Sequence, residues 1–277
     1  MWQHKERFER LLQEHVEPQT AERLKQQFQQ ALNGDSSAMV EVARFYKEVE
    51  YLEGMHDWLK HAIDQNDADG FFELANCYYE GIGVEESIQH AFDYYEQAAQ
   101  QKHPDAMNNL ADMYLNGEGT EIDEEAAFLW FSKAAKCDVV EAMYTLGMMY
   151  EQGIGTAIDD DKAFAYYEMA AKGGDSEGLY RVGMIYFNGE LKRSQSYEQA
   201  MKWFYRAAEV FQVDALYNIA YCYEQALGVE KSQQQAIRYY KQAALLEDVA
   251  SMLKLAELYE SVNPQEAKKW RQAAQQD

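Results

Sequence analysis

Asp105–Val140, DAMNNLADMYLNGEGTEIDEEAAFLWFSKAAKCDVV, and Glu141–Ser176, EAMYTLGMMYEQGIGTAIDDDKAFAYYEMAAKGGDS, are one 36-residue pattern written twice without a gap. In register, Ala106 meets Ala142, Leu110 meets Leu146, Tyr114 meets Tyr150, and Gly117 and Gly119 meet Gly153 and Gly155. Farther on, Trp130-Phe131 meets Tyr166-Tyr167 and Ala134-Ala135 meets Ala170-Ala171. Self-similarity at a fixed period of this length marks a solenoid, in which each unit buries its apolar face only against its neighbours.

Working outward, the same columns define a unit at Asp69–Pro104 and others at Glu177–Val213, with one extra residue, and Asp214–Val249. A degenerate first unit, Ser37–Ala68, and a truncated last one, Ala250–Asp277, complete seven repeats over residues 37–277. Residues 1–36 precede the array. Trp2, Phe8, Leu11, Leu12 and Val16 fit one helical face, and Leu24, Phe28, Ala31 and Leu32 fit another, which predicts two helices that cap the open edge. Asn33-Gly34 closes the second.

Within a unit, Met107, Leu110, Ala111 and Tyr114 make a helical stripe. The second helix is predicted to start at Ser87, Asp123, Asp159, Ser196 or Ser232, each four residues before an alanine in the same column. Such side chains accept from an unpaired amide of the first turn. In the last unit Asn263, Pro264 and Glu266 read as a capping box with proline at the first helical position. Small residues at 75, 111, 147, 183, 220 and 256 mark close helix crossings, and Tyr78, Tyr114, Tyr150, Tyr186, Tyr223 and Tyr259 fill the space between.

The chain carries a net charge of -23, but residues 191–277 are balanced and the excess acid lies at 69–190. That balance disfavours nucleic acid and anionic membrane and suits either a solvated helical surface or the steering of a basic partner. No apolar run reaches the ~20 residues a membrane span needs. The start lacks a signal-peptide centre, so a cytoplasmic protein is expected. Of three cysteines, Cys77 and Cys222 share a helical slot held elsewhere by Met113, Met149 and Ile185, so they read as buried apolar groups rather than a disulfide framework.

The columns of small residue, Leu-Gly or Leu-Ala, Tyr, Gly-x-Gly, capped second helix with paired aromatics, and Ala-Ala resemble the Sel1-like repeat, a relative of the tetratricopeptide repeat. The match departs at the first unit, which lacks Gly-x-Gly, at Leu191 and Ala226, which replace glycines, and at the last unit. The resemblance implies an all-α, right-handed α-solenoid of helix-turn-helix repeats that acts as a scaffold or adaptor of bacterial type. Some members are secreted and carry a disulfide in every repeat; this chain lacks those cysteines.

A Gly-x-Gly such as Gly81-Ile82-Gly83 follows a helix and precedes no Lys-Ser/Thr, so it reads as an interhelical turn rather than a phosphate loop. The acidic runs at 123–125 and 159–161 sit at helix starts, where the dipole favours them. The six histidines show no metal-ligand spacing. The expectation is therefore no cofactor, no metal and no catalysis. By analogy with the tetratricopeptide relatives, the first helix of each pair lines the concave side. Its non-core positions are Phe72 and Asn76, Asn108 and Asp112, Tyr144 and Met148, Tyr180 and Met184, and Tyr217 and Tyr221, each pair spaced i, i+4 on one face. They form a partner-binding groove, or else their rings pack against neighbouring repeats. The favoured reading is a monomeric, non-enzymatic adaptor for a basic protein or peptide. The alternatives are an inhibitor or immunity protein that neutralises a basic toxin or enzyme, and a hydrolase using inner-face carboxylates.

Overall fold

A computed structural model describes residues 2–275, and side chains from Lys5 onward; the side chain of Trp2 lies outside the described residues. Sixteen helices and no strand are found among them. They gather into two compact units, one ending at Val139 and the other starting at Val140.

The first unit holds α1 (Trp2–His15), α2 (Pro18–Leu32), α3 (Ser36–Glu48), α4 (Leu52–Asp64), α5 (Ala68–Glu80), α6 (Ile88–Gln100), α7 (Pro104–Asn116) and α8 (Glu124–Ala135). From α2 onward each helix packs against the next. Phe8 stacks on Phe28 at 4.1 Å between ring centroids and meets Phe45 edge-on at 5.5 Å, which fastens α1 and α2 to α3. The second unit holds α9 (Val140–Gln152), α10 (Asp160–Lys172), α11 (Ser176–Asn188), α12 (Tyr197–Glu209), α13 (Val213–Gln225), α14 (Gln233–Ala244), α15 (Val249–Tyr259) and α16 (Pro264–Ala273), again packed in sequence order.

The five middle repeats close their turns in the same way. At Gly81, Gly117 and Gly189 the chain enters the left-handed region that glycine adopts without strain, and their amides donate to the carbonyls of Cys77, Met113 and Ile185. The residue that caps the second helix then donates its own amide back to the column tyrosine: Ser87 to Tyr78, Asp123 to Tyr114, Asp159 to Tyr150, Ser196 to Tyr186 and Ser232 to Tyr223, at 2.8–3.0 Å. All five cap side chains accept an amide of the first turn, as the spacing requires. Leu191 and Ala226 hold the glycine conformation at φ of 47° and 62°, so the turn survives the loss of its glycine.

The last cap differs from the expected box. Asn263 accepts from the Glu266 amide at 3.3 Å, but the Asn263 amide already donates to Tyr259 at 2.8 Å. With that donor taken, the Glu266 carboxylate pairs with Lys269 at 2.7 Å instead of reaching back.

The small-residue column is buried throughout. A Cβ on Gly147 of α9 would stand 2.6 Å from the Tyr167 ring of α10, and one on Gly183 of α11 would stand 2.6 Å from the Phe204 ring of α12, so in each of these repeats the second helix's ring occupies the space a Cβ on the first would need. Tyr78, Tyr150 and Tyr223 stack on Tyr94, Tyr166 and Tyr239 at 5.6–6.0 Å. Cys77 and Cys222 are buried, which pushes their thiols up to about 11 and about 12; Cys137 is exposed, and all three are free.

Candidate partner-binding face

In the first unit, Phe72 and Asn76 lie on α5, and Asn108 and Asp112 on α7, all half-buried. Phe72 stacks on His103 at 4.3 Å and leans on Tyr95 at 6.0 Å. The Tyr95 hydroxyl donates to Asn76 Oδ1 at 2.5 Å, and Asn108 Nδ2 donates to Asp112 Oδ2 at 3.2 Å. Asn76 and Asp112 line a cavity of about 360 Å³ together with Tyr79, Glu80, Tyr95, Asn109, Asn116 and Glu118. No lysine or arginine lines it. Burial, and then the neighbouring Glu118, push the Asp112 carboxyl up to about 6.

In the second unit, Tyr144 and Met148 lie on α9, Tyr180 and Met184 on α11, and Tyr217 and Tyr221 on α13. Each is half-buried. One side of each leading ring packs on the second helix of its own repeat: Tyr144 on Tyr167 at 5.4 Å, Tyr180 on Phe204 at 6.0 Å and Tyr217 on Tyr240 at 5.4 Å. Packing therefore claims part of each ring, and the rest stays open to solvent. Asn218 of α13 donates to the Tyr180 hydroxyl at 3.1 Å and lies 3.6 Å from Met184 Sδ, so the open faces of α11 and α13 meet.

Sequence reasoning missed the residues that set the charge of this face. Arg181 of α11 donates to Glu151 and to Glu190, each at 2.5 Å, and its guanidinium lies 5.6 Å from the Tyr167 ring centre. Burial opposes the charge, but the two carboxylates hold the guanidinium more firmly protonated than usual. Lys254 of α15 pairs with Glu257 at 3.1 Å, and Arg44 of α3 pairs with Glu41 and Glu73 at 2.7 Å. Arg181 and Lys254 belong to the column immediately after that of Phe72, Asn108, Tyr144, Tyr180 and Tyr217, together with Glu73, Asn109 and Asn218. That column is polar at every one of these places, which was the signal available in the sequence.

The Sel1 repeat family model matches residues 72–103, 104–139, 140–175, 176–209 and 213–248, more than half of the chain. The chain belongs to the Sel1 repeat family. A Sel1 repeat protein from Oxalobacter formigenes superposes with a TM-score of 0.76 at 26% identity, over 86% of this chain and 99% of that one. A protective antigen of uropathogenic Escherichia coli with an SLR fold superposes with a TM-score of 0.86 at 24% identity, over 91% of this chain. This chain spans 56% of the length of that antigen. No curated protein matches. Among the described residues, no group of three or more His, Cys, Asp or Glu could hold a metal ion, and no helix is long and apolar enough to cross a membrane. The Sel1 repeat is generally a non-catalytic interaction scaffold.

Proposed function

We propose that this Sel1 repeat protein is a non-enzymatic adaptor that holds a basic protein or peptide against the inner positions of its first helices. The observation that carries this reading is the state of those positions. Tyr144, Tyr180 and Tyr217 are ordered on one side by packing and open on the other, which presents large rigid surfaces with a hydroxyl to pair at low entropy cost. The acid excess at residues 69–190 supports a cationic partner, because like charge would be repelled and opposite charge steered.

The test is capture from the native cell extract followed by mass spectrometry. Changing Tyr144, Tyr180 and Tyr217 to alanine should abolish capture of the main partner while far-UV circular dichroism stays helical. Because each ring also packs internally, a milder set, Tyr180→Phe with Tyr217→Phe, keeps the fold and should weaken capture measurably. Raising the salt until the Debye length falls to about 3 Å should release the partner. Undiminished capture by the triple variant, or indifference to salt, contradicts the proposal.

A further inference from the structure

The cavity between α5, α6 and α7 has a counterpart two 36-residue repeats further on, and the counterpart is filled. Tyr95 corresponds to Tyr167, Asn109 to Arg181 and Glu118 to Glu190. In the filled site the Arg181 guanidinium lies over the Tyr167 ring and spans to Glu190 and Glu151, the second of which also accepts from the Tyr167 hydroxyl. In the open one, Asn109 lines the cavity with Tyr95, whose hydroxyl is held by Asn76 instead. The short Asn109 amide leaves the remaining volume, about 360 Å³, empty of protein. Ligand pockets start at roughly 300 Å³, so this space suits one side chain better than a cofactor.

The charge tells the same story. Glu80, Asp112 and Glu118 line the open cavity, and Asp112 stands where the filled site has the apolar Met184. Elsewhere on the inner faces the chain supplies its own cation: Arg44 against Glu41 and Glu73, Arg181 against Glu151 and Glu190, and Lys254 against Glu257. Here it supplies none. Glu80 is exposed, but the half-buried Asp112 and Glu118 are met only by neutral groups, the Asn108 amide and the Tyr79 hydroxyl, and such charge is costly unless a cation arrives from outside.

We propose that the cavity formed by Asn76, Glu80, Tyr95, Asn109, Asp112 and Glu118 receives the guanidinium of an arginine side chain presented by the bound protein or peptide. The proposal rests on the adaptor reading and adds the residue that the partner must carry. Planar donors match this lining. A guanidinium can fork onto a carboxylate while its face lies over the Tyr95 ring, as Arg181 lies over Tyr167. An ammonium has the charge without the fork.

The test uses the full chain and the tripeptide acetyl-Ala-Arg-Ala-amide, with versions carrying citrulline or lysine in place of arginine. Binding is read from the side-chain amide signals of Asn76, Asn109 and Asn116 in ¹H–¹⁵N spectra. The arginine peptide should shift these signals saturably, the citrulline peptide should not, and the lysine peptide should bind at least several-fold more weakly. Asp112→Asn should weaken arginine binding tenfold or more. Asn109→Arg should abolish it by filling the cavity from within. The proposal is overturned if the arginine peptide leaves the signals unmoved, if arginine and citrulline or arginine and lysine bind equally, or if Asn109→Arg binds as the parent does. Native capture reads the adaptor proposal separately: tripeptide silence with capture intact sinks the arginine receptor alone, and tripeptide binding with capture unaffected by the tyrosine variants sinks the tyrosine groove alone.

Discussion

The open cavity beside α7 and the filled site beside α11 are built on the same repeat, yet one keeps its charge for itself and the other does not. Around Arg181 two carboxylates, a tyrosine hydroxyl and an aromatic face are satisfied within the chain. Around Asp112 three carboxylates and several amides converge with no cation among them. The contrast shows that a repeat scaffold can settle packing in every repeat while leaving side-chain chemistry free to differ from one repeat to the next. Stability is spent at one place and stored at another.

The largest expected effect comes from the crossing beneath the filled site. Ala111 tolerates a Cβ in the first unit, whereas at Gly147 a Cβ would already meet Tyr167 at 2.6 Å. Gly147→Leu should therefore displace Tyr167 from Glu151 and lower the unfolding free energy by about 3 kcal/mol, the upper end for overpacking, as measured by urea titration. An unchanged midpoint would mean that the crossing is looser than its geometry.

Next comes the filled site itself. Arg181→Asn puts the open site's Asn109 in place of the arginine and leaves Glu151 and Glu190 without their cation. A loss of about 2 kcal/mol is expected, given that the group is partly solvated. Low millimolar guanidinium should restore part of the lost thermal stability in this variant and none in the parent.

The smallest effect has the opposite sign and a pH signature. The Asp112 carboxyl is raised from 3.8 to about 6, so the folded state binds the proton more tightly than the unfolded chain. Stability from this group is therefore present below about pH 4 and is lost as pH rises through 6. Solvent at the exposed edge screens the effect to about 1 kcal/mol at pH 7. Asp112→Asn should thus raise the melting temperature at pH 7, leave it nearly unchanged at pH 4, and lose arginine binding. A residue serving only the fold would not show stability and binding moving in opposite directions.

Much of this molecule is legible in its sequence because a repeat states each constraint several times. Five capping positions, the tyrosine column and the small-residue column all recur in register, and packing leaves each little freedom. The candidate face is legible only in part. Spacing places Tyr144, Tyr180 and Tyr217 on one face, but it does not say that each ring would be half-taken by Tyr167, Phe204 or Tyr240. The charge pattern was hidden for a different reason. Asn109, Arg181 and Asn218 share a column, and whether its occupant reaches a carboxylate depends on side-chain length and on partners two helices away. The reciprocal capping box at Asn263 failed on a similar point, because a backbone carbonyl, that of Tyr259, had already taken the donor.

One substitution tests the contrast most directly. Asn109→Arg gives the open cavity the cation that its counterpart owns, and the melting temperature at pH 7 reports whether the space and charge are as described. The account predicts a rise of a few degrees, together with loss of the pH dependence that Asp112 imparts. A melting temperature that falls, or that leaves the pH profile of the parent intact, contradicts it.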